Sequence, residues 1–89
     1  MKAIKIAVYG RVQGVYYRAN ALNKAKEFSI LGTVQNMPDG HVCIVAEGDE
    51  RNLERFVEWC KKGPILANVT RVEIQDCPVY GHSSFEIIK

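Results

Sequence analysis

The chain changes period inside one nine-residue stretch. Residues 3–9 alternate, with Ile4, Ile6 and Val8 on one side and Ala3, Lys5, Ala7 and Tyr9 on the other. That two-residue repeat is a half-buried strand. Over residues 18–30, Ala21, Leu22, Ala25 and Phe28 recur at three- and four-residue steps, with Asn20, Lys24 and Lys26 on the wet side. That is an amphipathic helix. The switch falls within Gly10-Arg11-Val12-Gln13-Gly14-Val15-Tyr16-Tyr17-Arg18. A strand, a glycine-containing loop and a helix start make a natural anion site, because N–H groups at a helix start are unpaired and its dipole favours negative charge. Arg18 closes the segment, and a guanidinium fork fits two phosphate oxygens at once.

The rest of the chain sorts into the same two repeats. Gly32 is expected to end the first helical region. Thr33 to Met37 reads as a strand, Pro38-Asp39-Gly40 as a tight turn, and His41 to Glu47 as a second strand of a hairpin. Gly48 breaks that run. Asp49 suits an N-cap for a helix over 50–62, with Leu53, Phe56, Val57 and Cys60 as its buried stripe. Gly63-Pro64 stops it. Two strands near 69–76 and 84–88 follow, separated by Pro78 and Gly81. The order is β-α-β-β-α-β with a short extra C-terminal strand. It suits an α+β, ferredoxin-like sandwich: an antiparallel sheet with both helices on one face. At 89 residues, one domain over 1–89 is expected.

Charge and cysteine usage narrow the partners. A net charge of +2 with no basic block argues against a nucleic-acid binder, and the His41–Glu47 strand holds no Phe or Tyr for base stacking. Cys43, Cys60 and Cys77 are odd in number and widely spaced, which is no disulfide framework and no zinc site. They read as reduced thiols of a cytoplasmic protein. The start of the chain lacks a signal-peptide core, and no apolar run approaches the roughly 20 residues that cross a bilayer. No membrane partner is expected, and the expected state is a monomer.

Several phosphate chemistries are then missing their parts. A P-loop needs Gly-x-x-x-x-Gly-Lys-Ser/Thr, whereas Val15 follows Gly14 here. A cysteine phosphatase needs a thiolate in the arginine-closed loop, and residues 10–18 hold no cysteine. There is no Gly-x-Ser-x-Gly elbow and no Asp/Glu/His spacing for a metal. What remains is a site that binds an anion and positions water. Such a site suits a bond already activated, such as that of an acyl phosphate, where positioning and charge stabilisation carry the rate.

The chain resembles the acylphosphatase family at these residues. Gly10, Val12, Gln13, Gly14, Val15 and Arg18 match the family's first signature, with Tyr17 as a departure. Gly32, Asn36, Gly40, Val42 and Gly48 match the second, with Thr33 in place of an aromatic residue. The likeness covers essentially the whole chain. It implies hydrolysis of acyl phosphates to a carboxylate and inorganic phosphate, without metal, cofactor or phosphoenzyme. It also implies catalytic roles for Arg18 and Asn36. Backbone N–H groups of the loop Gln13, Gly14, Val15, Tyr16, Tyr17 and Arg18 would cradle the phosphoryl oxygens, and the Asn36 amide would orient the attacking water. An amide is no base near neutral pH, so the water's proton is expected to pass to the substrate phosphate.

Other residues read more plainly. Gln13 either contacts substrate or braces the loop. Tyr16 and Tyr17 read as packing, as do Phe56 and Trp59; the extra hydroxyl of Tyr17 needs a partner if buried. Thr33 is expected to remove bulk beside the site. His41 and His82 are expected to face solvent without a role, and Asp39 and Glu47 to serve turn and strand ends. Two competing functions stay open. One is a catalytically silent domain that binds anions or acyl phosphates. The other is a carbamoyl-phosphate-handling module of the kind found inside larger maturation proteins.

Overall fold

Alternating apolar residues become the inner face of a sheet. The computed structural model describes residues 1–89, in the order β1 (Lys2–Arg11), α1 (Tyr17–Glu27), β2 (Leu31–Asn36), β3 (Val42–Gly48), α2 (Glu50–Lys62), β4 (Asn68–Cys77) and β5 (Phe85–Ile88). The strands form one sheet in the order β4-β1-β3-β2-β5. Register aligns Ile6 with Ile44, and Ile44 with Val34. These side chains meet Ala21 and Ala25 of α1 and Leu53, Phe56, Val57 and Cys60 of α2 in a single core. Both helices therefore cover one face, as the element order predicts. Burying each large aliphatic or aromatic side chain there contributes about 1.5–3 kcal/mol.

Three expectations need adjusting. The first helix stops at Glu27, because Ser29 takes a positive φ of 57° and turns the chain early. Gly32 is thus no helix stop but a residue of β2, with φ +140°, where a Cβ would stand 1.8 Å from the Val45 carbonyl oxygen. Its lack of a side chain lets β2 approach β3. The third concerns strand direction. β1, β2, β3 and β4 pair antiparallel, but β5 lies parallel to β2. β4 holds one edge and β5 the other, so residues 78–84 must cross the end of the sheet before the chain turns back.

That crossing explains Glu47. On the face away from the helices, Glu47 pairs with Ala3 and Leu31, and it is wholly buried. Its carboxylate accepts the Tyr80 N–H at 2.6 Å and the His82 N–H at 2.9 Å. The crossing chain is fastened across the sheet by one side chain.

The opposite end of the sheet gathers the sequence's polar signals. β1 ends there, α1 begins there, and β2 and β5 finish there. Gly10 sits at a register shift between β1 and β4, with φ +122° and a would-be Cβ 2.2 Å from the Asn68 carbonyl oxygen. This bulge shifts the ladder just before the chain leaves it for the loop.

Candidate active site

Residues 12–16 form a loop with alternating anchors. Val12 and Val15 are buried, whereas Gly14 and Tyr16 are exposed and adopt positive φ of 74° and 65°. Alternation of this kind turns successive N–H groups toward one point, as in a backbone nest. Tyr16 is the N-cap of α1 and caps with no side chain. The first intrahelical donor is Asn20, whose N–H reaches the Tyr16 carbonyl at 3.1 Å. The N–H groups of residues 13–19 donate to no backbone carbonyl. Unpaired donors at the N-terminal end of a helix dipole are the chemistry that suits an anion.

Arg18 and Asn36 meet beside this loop. Both line a cavity of about 690 Å³, together with Val12, Gly14, Tyr16 and Tyr17. Arg18 is half-buried and takes part in none of the chain's ion pairs. Asn36 ends β2, paired with Val42. Its Oδ1 is buried and has no hydrogen-bond partner. A buried acceptor without a partner is costly, so this oxygen is suited to a donor that arrives with a ligand. No carboxylate or histidine side chain lines the cavity.

Gln13 does not offer its side chain to the loop it belongs to. Its Nε2 donates to the Met37 carbonyl at 2.8 Å and to the His41 carbonyl at 3.0 Å. These contacts tie the loop after β1 to the hairpin turn. Tyr17 lies under the loop with its ring buried, tilted against Trp59 at 5.2 Å. Its hydroxyl donates to the Cys60 carbonyl at 2.8 Å. The extra hydroxyl of the first signature thus has a partner in the last turn of α2. Burial, with Cys60 beside it, raises the Tyr17 pKa well above the ordinary phenol range, so the hydroxyl remains a donor.

The remaining polar residues depart from expectation. His41 is mostly covered, with 18% of its side chain exposed. It stacks on Tyr9 at 4.9 Å and contacts the Asp39 carboxylate. His82 Nδ1 lies 3.1 Å from Glu47 Oε2. Neither histidine simply faces solvent, because each is drawn onto a carboxylate by the turn or crossing that carries it. The His41 N–H and then its imidazole hold the Asp39 carboxyl below the ordinary carboxylate value. Thr33 sits in the ladder between Val45 and Glu86 and does not line the cavity. Ile87 and Lys89 do line it. No local pattern signals that, since only the sheet order brings β5 beside β2.

Fold and site together define a class of protein, the ferredoxin-like α+β sandwiches with a loop of unpaired N–H groups at the first strand–helix junction. Comparison with known proteins narrows the class. The acylphosphatase family model matches residues 4–87. An acylphosphatase of Methylococcus capsulatus is 43% identical, with 100% of this chain and 98% of that protein covered. The crystal structure of acylphosphatase from Bacillus subtilis superposes with a TM-score of 0.97 at 38% identity, covering all of both chains. Full-length HypF, in a phosphate- and nucleotide-bound form, contains a similar region with a TM-score of 0.93 at 28% identity. That match covers 99% of this chain and 12% of HypF. The chain belongs to the acylphosphatase family.

Proposed function

We propose that this enzyme hydrolyses the carboxyl–phosphate bond of small acyl phosphates by direct attack of water. The reading rests on one observation: an arginine without an ion pair and an asparagine whose amide oxygen is buried and unpartnered line the same cavity. The N–H groups of residues 13–18 and the Arg18 guanidinium hold the phosphoryl oxygens. Asn36 Oδ1 accepts a hydrogen bond from the water and aims its oxygen at phosphorus. As the water oxygen bonds to phosphorus, the bond from phosphorus to the acyl oxygen breaks. Its electron pair leaves with the carboxylate. The water's proton passes to a phosphoryl oxygen, in keeping with a cavity lined by no carboxylate or histidine side chain. The departing carboxylate is stable, so fixed donors around a loose transition state carry the catalysis.

The same reading extends to the molecule's setting. The 89 residues act as one domain and as a monomer in the cytoplasm, without metal, cofactor or nucleic acid. No helix is long and apolar enough to cross a membrane. A catalytically silent binder is not favoured, given acylphosphatase relatives that match over nearly the full chain.

Hydrolysis of acetyl and benzoyl phosphate in the presence of EDTA tests the proposal. Turnover is expected to be unaffected by the chelator. Arg18→Ala is expected to lose about 10²–10³-fold in kcat, the scale of removing a principal oxyanion donor. Asn36→Ala is expected to lose kcat while inorganic phosphate still inhibits at similar concentrations. Phosphate binding without any turnover by the wild-type protein would instead mark a silent binder.

A further inference from the structure

We propose that the Gln13 side chain is a positioning group that locks the anion cradle to the turn carrying Asn36, rather than a ligand of the phosphoryl group. The proposal rests on the site reading above and goes further by assigning how its two halves are held in register.

Cradle and amide come from distant parts of the chain, and little joins them directly. The loop at residues 12–16 follows β1, whereas Asn36 ends β2. β1 and β2 are not neighbours, because β3 lies between them. Their relative placement would rest on the give of two ladders. Gln13 spans that gap. Asn36 is followed at once by Met37, whose N–H donates to the His41 carbonyl at 2.8 Å and whose carbonyl accepts the Gly40 N–H at 3.0 Å. Met37 and His41 therefore close the hairpin loop, and their two carbonyls are the acceptors of Gln13 Nε2. One side chain clamps both ends of the loop that adjoins Asn36.

The chemistry also excludes the ligand role. A primary amide has two N–H donors, and both are committed to these carbonyls. What Gln13 has left is Oε1, an acceptor, which a phosphoryl oxygen would repel. Carbonyl partners also fix which way the amide points, since its oxygen cannot accept from either. The turn is a firm object to hold. The Asp39 carboxylate accepts the His41 N–H at 3.1 Å and contacts its imidazole. The same imidazole stacks on Tyr9, whose ring is covered by the Arg71 guanidinium at 4.2 Å. The anchor thus runs into β1 and β4 on the open side of the sheet.

Steady-state kinetics on acetyl phosphate, with inorganic phosphate as inhibitor, test this in Gln13→Met and Gln13→Leu. Both fill the side chain's space and remove its donors without adding charge beside the cradle. A small displacement of a positioned group costs up to about 10²-fold in rate, so kcat is expected to fall about 10- to 10²-fold. The inhibition constant of phosphate is expected to move less than about threefold, because cradle and Arg18 are intact. Where Asn36 is already alanine, Gln13→Met is expected to add little further loss, since groups acting as a unit are non-additive. The proposal is overturned by wild-type kcat in both variants. It is equally overturned by phosphate affinity that falls in step with kcat, or by a loss that adds fully to Asn36→Ala. Should one variant fail to fold, by circular dichroism, the other carries the same comparison. Wild-type rates in Arg18→Ala and Asn36→Ala would remove the underlying site reading instead, whatever Gln13 does.

Discussion

Tyr17 shows how one atom can leave a signature and still fit. Its hydroxyl reaches the Cys60 carbonyl, joining the start of α1 to the end of α2 beneath the loop. Tyr17→Phe restores the ring the family pattern expects but leaves that buried carbonyl unpaired, at a cost of about 1–3 kcal/mol. The melting temperature is expected to fall by about 4–8 °C for each kcal/mol in a domain of this size. Kcat on acetyl phosphate is expected to hold, because the ring still fills the space under the cradle. A fall in kcat without a fall in melting temperature would place the hydroxyl in the chemistry instead. Legibility at this scale was uneven. Gly10 and Gly14 were readable because their positive φ favours glycine locally, whereas Arg18 and Asn36 stood out through the likeness to the family's signatures. Where the second donor of Gln13 goes, and what Tyr17 touches, depended on partners 24 to 43 residues away.

At the scale of elements, the segment from β4 to β5 is held by Glu47. Burial raises its pKa, but the Tyr80 and His82 N–H donors and the His82 side chain outweigh that, and the net value lies below the ordinary glutamate value of 4.5. A carboxyl with a depressed folded pKa binds protons less readily in the folded state than in the unfolded one. Its stabilisation is therefore complete above about pH 4.5 and is lost as pH falls through the lower folded value. Urea unfolding from pH 7 to pH 3 is expected to show this loss in the wild type. Glu47→Gln is expected to be less stable at pH 7, by about 1–3 kcal/mol for an N–H left facing an amide donor. The gap between the two proteins should shrink toward pH 3; a constant gap would mean that Glu47 does not titrate with unfolding. From sequence, Glu47 was one acidic residue at the end of a strand. Its alternation put it on the uncovered face, which is correct. Only the crossing by residues 78–84 buries it, and no local pattern reports where a connection will lie.

For the whole molecule, the core can be read from its thiols. Cys60 is fully buried, and burial pushes its pKa up to about 12. Cys43 and Cys77 are partly exposed. Reaction with a thiol reagent at pH 8 is expected to modify two cysteines in the native protein and the third only when denaturant unfolds it. The third rate would then report global opening, since a thiolate must form and be reached. Modification of Cys60 at the native rate of the others would show that α2 opens on its own. By itself, the sequence determined the periodicities, and with them α2, the hairpin, the helix-covered face and the strand–loop–helix junction. These follow from local sterics and from which side chains leave water. The parallel β5, the buried Glu47, the Gln13 clamp and the approach of Ile87 and Lys89 to the cavity were decided by tertiary structure. Each depends on which strand lies beside which, and that is set by the closing of the whole core rather than by any neighbour in the chain.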